Sequence, residues 1–114
     1  MSDRIRIHPA GGTWVVRAGG AVIGESTRAL RLAETGLEPV IYFPREDIAT
    51  EFLDPSDTVI SCRFKGAARH FSIVTKSTTL KDAVWSYEDP LEAALPVRDH
   101  LAFRTGEKVA VEQV

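Results

Sequence analysis

From Thr58 to Thr75 the chain alternates between two sets of side chains, broken once at Lys65-Gly66-Ala67-Ala68. Val59, Ser61 and Arg63 fall on one side of the first run, and Ile60, Cys62 and Phe64 on the other. Beyond the glycine, Phe71 and Ile73 stand opposite His70, Ser72 and Val74. A period of two is the period of a β-strand, and two such runs around a glycine-containing turn read as a hairpin. A lone hairpin is marginal in water, so it requires further strands against which to bury a face.

The remaining sequence supplies them. Thr13 to Arg17 and Ala21 to Glu25 flank the tight turn Ala18-Gly19-Gly20. Arg28 to Glu34 fits both helical and strand spacing; its strand-like flanks and Gly36 favour a strand. Val40 to Phe43 is a short apolar strand stopped by Pro44, which suits the first turn of a short helix over Arg45 to Phe52. Glu46 and Asp47 then lie at the helix start, where its dipole favours acids. Asp54-Pro55-Ser56-Asp57 reads as a turn. Asp82 to Tyr87, Leu101 to Arg104 and Lys108 to Val114 complete the strands, with a helical turn over Pro90 to Leu95. The expected fold is mainly β: an antiparallel sandwich or barrel-like domain with one or two short helices.

With 114 residues this is one domain, 1–114, and 44% hydrophobic residues can sustain its core. Fourteen Lys and Arg against sixteen Asp and Glu are interleaved along the chain and leave a net charge of −2. That disfavours a nucleic-acid partner, which calls for a basic patch or stripe. No apolar run reaches the length of a membrane span, and the opening residues lack the apolar core of a secretory signal. Cys62, the single cysteine, excludes an internal disulfide and a cysteine-rich zinc site; a reducing, cytoplasmic setting is expected. No cofactor is expected. His8, His70 and His100 are scattered, and Lys65-Gly66 lacks the rest of a Walker phosphate loop.

Three groups of residues carry candidate chemistry. Cys62 with Lys65 and His70 could form a reactive thiol cluster, since a neighbouring cation favours the thiolate. The competing reading makes Cys62 a core thiol between Ile60 and Phe64, with the Gly66 turn aiming the Lys65 ammonium at solvent. Glu34 with Arg28 and Arg45 could form a charged site or a structural pair. Six residues apart on one strand, Arg28 and Glu34 would share a face about 20 Å from each other, each needing a partner from elsewhere. Tyr42, Trp85 and Tyr87 could line a cleft between sheets, or simply pack.

Arg28-Ala29-Leu30, Glu34, Tyr42-Phe43-Pro44, Cys62-Arg63-Phe64-Lys65-Gly66 and Trp85-Ser86-Tyr87 with Pro90 occur in the order seen in the bacterial DUF427 family, which the chain resembles over almost its whole length. Arg63 stands where that family often has proline, and His70 where it often has tyrosine. The resemblance implies two antiparallel sheets packed at an angle, a β-tent or Mss4-like fold. Many β-tent relatives hold zinc between two cysteine pairs; this chain has none, so the resemblance implies a zinc-free version. The family sometimes carries a nucleotidyltransferase label. That chemistry needs carboxylates converging on magnesium beside a glycine-rich loop, whereas Glu46 and Asp47 read as helix-start acids.

The grouping of Arg28, Glu34, Tyr42, Cys62, Lys65 and Trp85 in the matching segments, without a complete catalytic constellation, leads to one expected function. It is the binding of a small polar or anionic molecule in a cleft between sheets. A small enzyme using Cys62 or Glu34, and a protein-interaction module using a sheet edge, are the alternatives.

Overall fold

A computed structural model describes residues 4–114. Ten strands account for most of the fold: β1 Ile5–Pro9, β2 Trp14–Ala18, β3 Ala21–Ser26, β4 Leu30–Glu34, β5 Val40–Tyr42, β6 Leu53–Cys62, β7 Gly66–Val74, β8 Thr79–Ser86, β9 Ala102–Phe103 and β10 Val109–Gln113. They pair antiparallel in three sheets, ordered β1-β4-β5, β10-β2-β3 and β6-β7-β8-β9. The mainly β, antiparallel expectation holds. The hydrogen bonding divides the strands among three sheets rather than two, and no sheet closes into a barrel.

The first and third sheets are joined where β5 ends. Phe43 and Leu101 exchange backbone hydrogen bonds of 2.8 Å in both directions, a single antiparallel bridge that carries β5 onto β9. Two clusters of buried side chains follow. One gathers Val16, Ile23, Phe43, Ile73, Val84 and Phe103 where the second sheet covers the third. Phe43 and Phe103 meet edge to face, 5.8 Å between centroids, a geometry aromatic rings prefer. The other cluster gathers Leu32, Tyr42, Ala68, Tyr87, Val97 and Ala102 between the first and third sheets. Val97 belongs to a 3₁₀ segment, Glu92–Val97, which also packs against β1.

The structure departs from the sequence expectation in three places. The helix expected over Arg45 to Phe52 is two separate 3₁₀ turns, Arg45–Asp47 and Thr50–Phe52. Between them Ile48 is extended and forms a bridge with Gly24 of β3. Burying Ile48 there outweighs one continuous helical turn, and Gly24 permits it: a Cβ at position 24 would stand 2.3 Å from Ile48 Cδ1 and 3.2 Å from the Asp47 carbonyl oxygen. The turn expected at Asp54-Pro55-Ser56-Asp57 is instead an irregularity inside β6, between Pro55 and Val59. β6 is the outermost strand of its sheet, where a proline without an N–H is tolerated. Ser56 Oγ accepts the Thr58 N–H, and the Thr58 hydroxyl donates to Asp82 Oδ2 at 2.7 Å, fixing the irregularity to β8. β1 was not anticipated, although Ile5 and Ile7 alternate with Arg6 and His8 at strand period.

Candidate functional site

The cleft lies between the first and third sheets. β4 turns Leu32 and Glu34 inward while Arg31 stays exposed, as a period of two requires. β5 is paired so that Val40 sits opposite Leu32 and Tyr42 opposite Leu30. Across the gap, Ala68 and His70 come from β7, and Trp85, opposite His70 in register, from β8. Tyr87 follows directly after β8. These side chains, with Glu38 and Ile60 at the rim, enclose about 260 Å³.

At one end of the cleft Lys65 Nζ donates to Glu34 Oε1. Both side chains are about nine-tenths buried. Lys65 ends the β6–β7 turn: its N–H bonds the Cys62 carbonyl at 3.2 Å, and its own carbonyl accepts from the Leu91 N–H at 2.9 Å. Gly66 follows with φ +111°, and a Cβ there would press on the backbone of Asp89 to Leu91. The turn therefore packs down on the segment after β8 and directs Lys65 into the cleft, not towards solvent. Burial draws the Lys65 ammonium down, but the hydrogen bond to Glu34 and the charges of Cys62 and Glu34 outweigh it, and its pKa is raised.

Aromatic rings from both sides of the gap also line the cleft. Trp85 Nε1 donates to the Tyr42 hydroxyl at 3.1 Å, and the two rings stand at 88° with centroids 6.5 Å apart. Tyr87 lies on the other side of Tyr42, also 6.5 Å away and tilted 37°. Burial pushes the Tyr42 phenol well above its ordinary pKa. Burial, with the Cys62 and Glu34 charges, pushes Tyr87 up to about 12. Both phenols are neutral donors at physiological pH. His70 lies with Nδ1 3.1 Å from the Ala68 carbonyl. A carbonyl only accepts, so Nδ1 carries a proton there, and Nε2 is left for another partner.

Glu34, Tyr42, Lys65 and Trp85, four of the six residues singled out from the sequence, therefore line one cleft. Cys62 stands beside it. It is half-buried at the end of β6, opposite Gly66 and far in register from His70, so the expected thiol–histidine pairing does not form. The core-thiol reading also changes, because Ile60 is 54% exposed and lies at the rim. Arg28 goes elsewhere. It precedes β4, and its guanidinium bonds Asp47 at 3.1 Å and Glu46 at 3.3 Å. With Pro44, Arg45, Arg98 and His100 it borders a separate, open depression of about 550 Å³. The partner expected from elsewhere for Glu34 is Lys65. Arg45 bonds the Asp99 carbonyl, the Ser86 hydroxyl and Glu88, away from Glu34.

Outside that set of six, His70 and Tyr87 also belong to the cleft. Tyr87 carries a readable signal, since two residues after Trp85 on a strand it shares the same face. His70 was marked in the sequence only as a partner for Cys62, and the pairing of β7 with β8 brings it next to Trp85 instead. Among the described residues no three His, Cys, Asp or Glu side chains converge as metal ligands would. No described helix is long and apolar enough to cross a membrane.

No curated protein matches the chain. A family model described as Domain of unknown function (DUF427) matches residues 6–114. The order of motifs that carried the resemblance and the match over this span agree: the chain belongs to the DUF427 family.

Proposed function

We propose that the cleft between the first and third sheets is a binding site for a small polar molecule. The observation that carries this reading is the Glu34–Lys65 pair, nine-tenths buried at the end of a cleft walled by Tyr42, Trp85 and Tyr87. Desolvating two charges costs several kcal/mol per ion, and an apolar pair of similar volume often stabilises a fold as well or better. A few convergent polar groups in an apolar, aromatic cavity are the usual make-up of a ligand site. Of the polar and the anionic ligands expected from the sequence, the lining favours the polar. Glu34 and Glu38 stand against Lys65, the one Lys or Arg of the lining.

We also read the lean of the first sheet on the third as the zinc-free β-tent arrangement. Its support is the Phe43–Leu101 bridge at one end of the cleft and the Glu34–Lys65 pair at the other. The lone Cys62 supports a reducing, cytoplasmic compartment. A reaction at Glu34 would use this same cleft.

A thermal-shift screen of small polar compounds tests the proposal, because a ligand selective for the native state raises the melting temperature. At least one compound raises it in the wild type and loses most of that effect in Glu34→Gln. Hits that act equally on both proteins would place binding elsewhere. A second reading has an observation of its own. Val59 and Ile60 are 56% and 54% exposed on the outermost strand of the third sheet. Such an edge suits the addition of a partner's strand. A screen without hits, together with concentration-dependent self-association abolished by Ile60→Lys, would favour it.

A further inference from the structure

Resting on that binding reading, we infer that the cleft takes a neutral, planar ring carrying an amide-type edge, an N–H beside a C=O, in preference to an organic anion or cation. Three features of the lining lead there.

The first is charge. The buried pair is neutral as a unit, and Glu38 at the rim adds one negative charge. An anion entering the cleft would meet two carboxylates, and a cation would meet a buried ammonium that already has its partner. A neutral ligand leaves the pair intact and avoids the cost of separating it.

The second is hydrogen-bonding capacity. Lys65 spends one of its three donors on Glu34 Oε1. Among the described residues, Asp82 Oδ1 is the one side-chain polar atom both sealed from solvent and without a partner. Glu34 Oε2, Tyr87 Oη and His70 Nε2 accept or donate in no described hydrogen bond and are not sealed, and all three residues line the cleft. The ion pair thus offers an acceptor, Glu34 Oε2, next to the Lys65 ammonium. An amide edge presents the complement: its N–H donates to the carboxylate and its C=O accepts from the ammonium. Tyr87 Oη and His70 Nε2 remain for a further polar substituent. All four residues are at least nine-tenths buried, so a site that hydrogen-bonds its ligand this way rejects analogues lacking the groups.

The third is shape. Trp85 is held by its hydrogen bond to Tyr42 and stands perpendicular to it, so rigid rings wall the cleft from both sheets, beside Leu32 and Val40 of the first. Flat rings suit such walls. A volume of about 260 Å³ admits one ring with small substituents and falls just below the ~300 Å³ at which sites for drug-sized ligands begin.

Titration calorimetry on the full chain with single-ring probes of similar size tests the inference. The probes are 2-pyridone, N-methyl-2-pyridone, benzoate and benzylammonium. 2-Pyridone is expected to bind best, and N-methyl-2-pyridone at least about tenfold more weakly, the loss of one buried hydrogen bond. Arg28→Gln, whose exposed side chain pairs with Glu46 and Asp47 at the separate depression, serves as a folded control that retains 2-pyridone binding. Glu34→Gln, confirmed folded by its near-ultraviolet dichroism, loses the preference for 2-pyridone over its N-methyl form. Tighter binding of benzoate or benzylammonium, or equal binding of the two pyridones, would overturn the inference and leave the cleft a binding site. Failure of all the probes to bind at tens of millimolar would overturn both.

Discussion

Lys65 and Glu34 show what one residue contributes here and what a sequence conceals about it. Lys65→Met leaves the Glu34 carboxylate buried without its cation and is expected to cost about 3–5 kcal/mol. Glu34→Gln keeps an acceptor for the ammonium and is expected to cost about 1–3 kcal/mol. Urea midpoints of the two variants check the order, and a cost of Lys65→Met below that of Glu34→Gln would contradict it. The same residues set an alkaline limit. The folded pKa of Lys65 is raised above its ordinary 10.5, so its stabilising effect is complete below that value and lost as the pH climbs through the folded one. Tyr42 and Tyr87 act in the same direction, because burial holds their protons while the unfolded chain ionises near pH 10. Stability should fall steeply between about pH 10 and 12, and Tyr42→Phe should flatten that fall; an unchanged slope in the variant would remove Tyr42 from the account. The sequence marked both Glu34 and Lys65 but not as partners. A residue beside a glycine turn looks solvent-bound until the packing of that turn on the Asp89–Leu91 backbone is known.

At the scale of elements, the tight turn at Ala18-Gly19-Gly20 marked β2 and β3, and the period-two pattern was legible in the β6–β7 hairpin. β1 carries the same signal in five residues, Ile-Arg-Ile-His-Pro, and only its pairing with β4 gives it weight. The segment from Arg45 to Phe52 had helix-start chemistry and still folded as separate turns. Local propensity is worth tenths of a kcal/mol per residue, whereas burying an isoleucine is worth about 1.5–3 kcal/mol. Gly24→Ala tests that balance. The added methyl would meet Ile48 Cδ1, Val16 Cγ1 and the Asp47 carbonyl, and the Ile48 side chain can yield but the carbonyl cannot. The expected cost is about 1–3 kcal/mol by thermal or urea unfolding. A neutral effect would mean that the Gly24–Ile48 bridge does not hold this segment in place.

For the whole molecule, the β class and much of the cleft's lining were within reach of the sequence; the meeting of the sheets was not. The bridge between Phe43 and Leu101, and the ion pair between Glu34 and Lys65, join segments far apart in the chain, and no local pattern encodes them. Arg28 shows the converse. A six-residue spacing from Glu34 suggested a shared face, but the strand begins at Leu30, and two carboxylates after β5 draw the guanidinium to another side of the molecule. What remains is a cleft closed at one end by a buried charge pair and walled by rings. The two tryptophans allow its role to be read directly. Trp85 lines the cleft through its bond to Tyr42, whereas Trp14 belongs to β2, with its indole N–H on the Gly11 carbonyl at 2.9 Å. In a ¹H–¹⁵N titration with 2-pyridone, the Trp85 indole resonance should move in a saturable way while that of Trp14 stays in place; movement of Trp14 with Trp85 unmoved would contradict a binding site between these sheets.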